Sequence, residues 1–249
     1  MTMLEKLFPP LLILTSFIGA WELYVRLANI SKTVLPLPSD IALAVLSYRE
    51  ILFVHAAQTL KEALIGLFFA VLLGVGFAAA LFLMPRVRAG VYPLLVLSQT
   101  IPLIALAPLL LMWFGFDLFP KALIVILYCF FPVTIATFDA LRAADENMVD
   151  LLKAMGASSW QILSYVRLPA ALPSFFSGLR IAVTYAITAA IVGEFVGAYR
   201  GLGVFMLTSA NSRAIVLVFA ALVVTMLLTV ALLALVSLAE RVFVPWKKI

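Results

Sequence analysis

Six stretches of mostly apolar residues, at about 7–28, 57–83, 91–114, 121–140, 174–197 and 214–238, divide this chain of 249 residues. Each matches the roughly 20 residues that an α-helix needs to cross the ~30 Å hydrocarbon core of a bilayer. The whole chain is 65% hydrophobic and 12% charged, with a mean hydropathy of +1.20. Soluble domains run near ~45–50% apolar and ~25% charged. The pattern predicts an all-α integral membrane protein. It is expected to be one domain over residues 1–249, with six transmembrane helices and both termini cytoplasmic. The first stretch could also be a cleaved signal peptide, but no A-x-A site follows it and the apolar run continues past Glu22 to Leu27.

The net charge of +5 does not point to nucleic acid, because the basic residues are scattered at span ends and form no stripe. The lone cysteine, Cys129, lies in an apolar run, which excludes an intramolecular disulfide. A single histidine, His55, with no Cys/His cluster argues against a metal site, and its place in the polar stretch 29–55 reads as external. Within that stretch, Pro38-Ser39-Asp40 before Ile41, Val45 and Leu46 reads as a capped interfacial helix.

The segment from Asp145 to Pro173 is the longest polar interruption in the second half, and it reads helix, stop, helix, stop. Asp145 can cap a first helix, on which Met148, Leu151, Leu152 and Met155 recur at i, i+3, i+4, i+7 and share a face. Gly156 ends that helix by taking a left-handed C′ conformation. Ser158 or Ser159 caps a second helix carrying Ile162, Leu163 and Val166, and Pro169 is expected to halt it. A short helix with a greasy stripe either docks on another protein or lies flat on the bilayer; the pattern fits both.

Polar groups inside the spans mark candidate path residues. Ser98, Gln99 and Thr100 precede Pro102 in a span also broken by Pro93 and Pro108. They read as path lining or as a locally bonded kink. Glu194, inside GEFVG, reads as a gate or solute contact, or as a snorkelling surface acid, and Gly193 and Gly197 there permit close packing. Tyr128, Phe130, Phe131 and Tyr185 could stack on a flat heterocycle or simply pack the spans. Arg180 is expected to pair with Asp139. Gly66, Ala70, Gly74 and Ala78 recur every four residues along one face of the second span, which either lets another helix approach closely or reflects how common small residues are in membrane helices.

Orientation follows from Lys and Arg near span ends. With the N-terminus inside, Lys6, Arg86, Arg88, Arg142, Lys153, Arg167, Arg241, Lys247 and Lys248 are cytoplasmic. Arg26, Lys32, Arg49, Lys61, Lys121, Arg200 and Arg213 are then outside. The bias is modest, but it puts the 145–169 loop where ATP is. No G-x-x-x-x-G-K-[ST] and no H-E-x-x-H occurs, so an enzyme reading is poor and any ATP is bound by another chain. Six spans are too few to enclose a solute path comfortably, so a dimer is expected.

The stretch LLKAMGASSWQILSYVRLP resembles the EAA loop of permease subunits of bacterial ABC importers, whose pattern is E-A-A, three residues, Gly, nine residues, I-x-L-P. Asp150 stands at the acidic position, Leu151 and Leu152 replace the alanines, Gly156 is the glycine, and Val166-Arg167-Leu168-Pro169 ends the motif. The resemblance extends over roughly residues 7 to 245. It implies that Met148, Asp150, Leu151, Leu152, Met155, Gly156 and Pro169 couple the chain to a separate ATPase subunit that holds ATP and Mg. It further implies a second permease copy, an extracytoplasmic solute-binding protein and residence in the bacterial inner membrane. The phrases LPLPSD, SQTIPLIALAPLLLMWFG and GEFVGA are similar to the group moving nitrate, taurine, aliphatic sulfonates and vitamin-precursor pyrimidines. SQTIP, YCFFP and FFSGLRIA are most like members associated with thiamine-precursor pyrimidine import. A sulfonate, taurine, nitrate or riboflavin-type solute is the alternative. An ATP-independent secondary transporter or scaffold subunit is the competing class, although no broken-helix internal repeat is evident.

Overall fold

The structure, a computed structural model, describes residues 3–246, with side chains from residue 8 onward; of the cations used above for orientation, the Lys6 side chain and Lys247 and Lys248 lie outside what it describes. The described residues form helices only. In order these are α1 (Met3–Leu27), α2 (Pro38–Ser47), α3 (Arg49–Leu83), α4 (Pro85–Ser98), α5 (Leu103–Phe114), α6 (Leu118–Arg142), α7 (Glu146–Ala154) and α8 (Ser159–Ile162). After a π-helical turn (Leu163–Arg167) come α9 (Leu168–Gly197), α10 (Leu202–Asn211) and α11 (Ile215–Phe243). Five helical stretches are long and apolar enough to cross a membrane: Phe8–Leu27, Arg49–Leu83, Leu118–Arg142, Ser159–Gly197 and Ile215–Phe243.

The sixth expected span is not one rod. α4 and α5 meet at 94° across residues 99–102. Pro93 and Pro108 are absorbed inside their helices, whereas Pro102 sits at the N-cap of α5 with extended backbone. Its ring also bars Ile101 from helical geometry, which explains a break here.

α3, α6 and α9 make the core. The small-residue face of α3 is what lets α6 approach. A Cβ on Gly66 would collide with Val125 and lie 2.9 Å from the Ala122 carbonyl, and one on Gly74 would lie 3.0 Å from Val133. Ala70 and Ala78 are fully buried on the same face. Gly178 plays the same part between α9 and α6, beside Ala136 and the Pro132 carbonyl. Close approach of this kind supplies dispersion contacts that lipid-facing Leu cannot, since lipid tails are as apolar as Leu. α3 runs 35 residues. At 1.5 Å per residue that is about 52 Å, well beyond a ~30 Å core, so it tilts or projects.

His55 lies within α3. Two expectations are corrected here. Pro169 does not end the second loop helix, which runs on from Ser159 to Gly197. The π turn explains it: Leu168 N–H bonds back to Leu163 O, and the widened turn accommodates a proline that has no N–H to give. Arg180 pairs with Glu240 on α11, not with Asp139, which is exposed on α6. Glu240 is 7% exposed, so it offers the guanidinium a partner shielded from water.

Candidate functional site

At one end of the bundle, the α7–α8 elbow is built almost wholly from local sequence. Asp145 caps α7 by accepting from Asn147 N–H at 2.9 Å. Gly156 has φ +81°, its N–H reaches Lys153 O, and Ala157 N–H reaches Leu152 O at 2.9 Å. That pair of bonds is a Schellman stop. A Cβ at Gly156 would meet open space, so backbone conformation alone selects glycine. Ser158 and Gln161 form a reciprocal capping box at the start of α8. Arg167 then clamps the elbow to the bundle: it donates to Leu141 O at 3.0 Å, pairs with Glu146 at 3.5 Å and lies 5.0 Å from the Phe82 ring centroid.

The apolar residues of α7 divide by burial. Val149, 1% exposed, anchors α7 inward, and Leu152 is half-buried beside it. Met148, Leu151 and Met155 remain 50%, 57% and 73% exposed. Asp150 points into solvent and pairs with Lys153 at 2.8 Å. Trp160 and Tyr165 add exposed aromatics on α8 and the π turn.

The candidate path residues do not converge on one site within the chain. Ser98 and Thr100 donate to Leu95 O and Leu97 O, so their hydroxyls cap the α4 break locally; with Gln99 and Pro102 they lie exposed. Tyr128 and Phe131 are half-buried on α6, while Tyr185 is exposed on α9, and none of the three stacks on another described ring. Phe130 packs edge-on to Phe77 at 5.5 Å.

Glu194 is not a snorkelling acid: it is 1% exposed. Its carboxylate accepts from Thr59 Oγ1 and from Gly203 N–H, both at 2.6 Å. Thr59 in turn accepts from Leu202 N–H at 2.8 Å, and His55 Nδ1 lies 3.0 Å from Gly201 N. Beside them Lys121 reaches Glu62 at 3.1 Å, and Gln58 donates to the same oxygen at 2.7 Å. The first N–H groups of α10, which have no intrahelical acceptor, are thus met by α3 and α9.

The family profile for the inner membrane component of binding-protein-dependent transport systems matches residues 66–248. The chain belongs to that family. It is 37% identical to the formylaminopyrimidine transport permease protein ThiX of Halalkalibacterium halodurans, covering 96% of each chain. It is 39% identical to a probable ABC transporter permease protein of Haemophilus influenzae, covering 91% of this chain and 93% of that one. Its fold matches a chain in an inward-facing crystal form of the MetNI methionine ABC transporter, with TM-score 0.65 and 19% identity over 81% of this chain and 99% of the other.

Sequence reasoning missed several residues of this permease. Val149 sits between the stripe positions but points the other way. Thr59, Glu62 and Lys121 lie in or beside apolar runs, 135 residues from Glu194 in the case of Thr59. The available signal was a rule already in hand: an ionisable residue within a span needs a named partner. Applied to Glu62 and Lys121 as it was to Glu194, that rule would have linked them.

Proposed function

We propose that this permease is the membrane-spanning subunit of an ATP-driven importer for a thiamine-precursor pyrimidine. In this reading a separate ATPase docks on α7 and an extracytoplasmic binding protein delivers solute at the opposite end. The likeness to the formylaminopyrimidine permease over nearly the full length carries the choice of solute. The elbow supports the coupling role. Exposed Met148, Leu151 and Met155 form an apolar knob on a helix fixed at both ends, ready for a groove in the ATPase.

Force then has a direct route. The helical run Ser159–Gly197 leads without interruption from the elbow through the core to the far end. Closure of two ATPases around ATP pulls the paired elbows together, and each α9 carries that displacement across the bilayer. Two copies of the chain complete the path, which sets the exposed residues of the α4–α5 break and of α9 toward a partner and not toward lipid. The N-terminus and elbow are cytoplasmic and the α10 end is outside. The chain supplies a lever and a gated path and does no covalent chemistry.

The test is reconstitution of the full complex in liposomes. Labelled formylaminopyrimidine uptake should require ATP and the cognate binding protein, while taurine and riboflavin should fail to compete. Uptake driven by an ion gradient without an ATPase would overturn the reading, and competition by taurine would move the solute class.

A further inference from the structure

The α10 end of the molecule shows an unusual investment: a buried carboxyl group, Glu194, helps to hold a buried turn that directly follows two exposed residues. Tyr199 is 93% exposed and Arg200 is exposed beside it. Immediately after them the chain is fixed at three successive residues, Gly201 by His55, Leu202 by Thr59 and Gly203 by Glu194. Gly201 has φ +137°, and a Cβ there would overlap the Glu194 carboxylate, so only glycine fits this close approach.

Charge at this end is also uncompensated. Of the seven cations that fall outside on the proposed orientation, Arg26, Lys32 and Lys121 are paired with Glu22, Asp40 and Glu62. Arg49, Lys61, Arg200 and Arg213 are exposed and enter no ion pair among the described residues, whereas the exposed acids expected on this side among them are Glu50 and Asp117. Lys and Arg are normally retained on the cytoplasmic side. Unpaired cations kept at the other end therefore serve something else.

We propose that His55, Thr59 and Glu194 are positioning residues that hold Tyr199 and Arg200 as a rigid contact for an acidic rim on the extracytoplasmic binding protein. Tyr and Arg are the residue types that most often dominate interfaces, and a pre-ordered turn loses little entropy on docking. The inference rests on the proposed importer function and on its orientation.

The experiment uses the complete transporter in nanodiscs and titrates the cognate binding protein while reading ATPase stimulation. Arg200→Glu and Tyr199→Ala should each raise the half-saturating concentration about tenfold, the ~1.4 kcal/mol of a contact residue, while the maximal rate at saturation is retained. Added salt should weaken docking to the wild type more than to Arg200→Glu. Thr59→Val should raise half-saturation in the same way and Thr59→Ser should not. Unchanged half-saturation in Arg200→Glu and Tyr199→Ala overturns the proposal, as does a Thr59→Val that lowers only the maximal rate. A wild-type complex that no binding protein stimulates sinks the importer reading itself, which separates the two failures.

Discussion

The two ends of this permease solve the same problem by opposite means. At the elbow, α7 and α8 satisfy their free backbone groups with partners no more than a few residues away: the Asp145 side chain, the backbone bonds of the Gly156 stop and the Ser158–Gln161 box. At the other end α10 borrows its acceptors from helices up to 146 positions away in sequence. A locally capped element can shift as a unit without breaking its own bonds. One capped by its neighbours cannot move from them without exposing a buried carboxylate. The caps of the elbow would thus survive a shift of the elbow as a unit, whereas the start of α10 is tied directly to α3 and α9.

The largest effect that tests this contrast lies at the fixed end. Lys121→Met removes the cation from Glu62, which is fully buried, and leaves its charge uncompensated. Breaking one side of a buried pair costs about 3–5 kcal/mol. A large drop in the detergent melting temperature is expected, and the double variant Lys121→Met/Glu62→Gln should recover most of it. A Lys121→Met protein as stable as wild type would mean that water reaches this cluster and that the end is not rigid.

At the elbow the corresponding substitution should affect coupling and leave stability alone. Leu151→Asp puts a charge on the exposed apolar knob, at a side chain that is itself more than half exposed. The expected loss is about 2 kcal/mol or more of docking, roughly thirtyfold in ATPase affinity, with an unchanged melting temperature. Val149→Asp is the contrasting variant: being buried, it should unseat α7 from the bundle and lower both.

The same division explains what could be read from the sequence. The elbow was legible because its determinants are contiguous: a cap, a stripe, a positive-φ glycine and a second cap. The all-helical membrane class was legible because hydropathy is a local sum. Partners across the bundle were not. Arg180 was matched to Asp139 on position along the chain, whereas helix packing brings it Glu240, 60 residues away. The effect of Pro169 was misread because a π turn, which redistributes backbone hydrogen bonds, leaves no mark in apolar periodicity. Val149 was overlooked because a stripe shows which residues share a face, not which face turns inward.

A smaller effect should come from Gly156→Ala. The new methyl meets nothing, so the entire cost is that of forcing a side chain into φ +81°, about 1–2 kcal/mol. That strain falls on the joint between α7 and α8. Coupling should drop severalfold with little change in global melting, and Gly156→Asn, which tolerates this conformation better, should keep more of it. If Gly156→Ala instead lowered melting by as much as Lys121→Met, the elbow would be part of the rigid core and the contrast between the ends would be wrong.

The finest discrimination comes from Ser158→Ala. It deletes the hydroxyl that accepts from Gln161 N–H at 3.3 Å, a helix cap worth about 1 kcal/mol. In an isolated four-residue helix that would melt α8. Here α8 continues through the π turn into α9, so cooperativity with a long, packed helix should hold the turn in place and confine the loss to fraying at Ser158. Hydrogen exchange should quicken at Ser159 to Gln161 and be unchanged at Leu168 and beyond. Exchange that quickened along α9 as well would show the π turn passing local disorder into the span, and a lever of that kind could not carry a push from α7 to the far side.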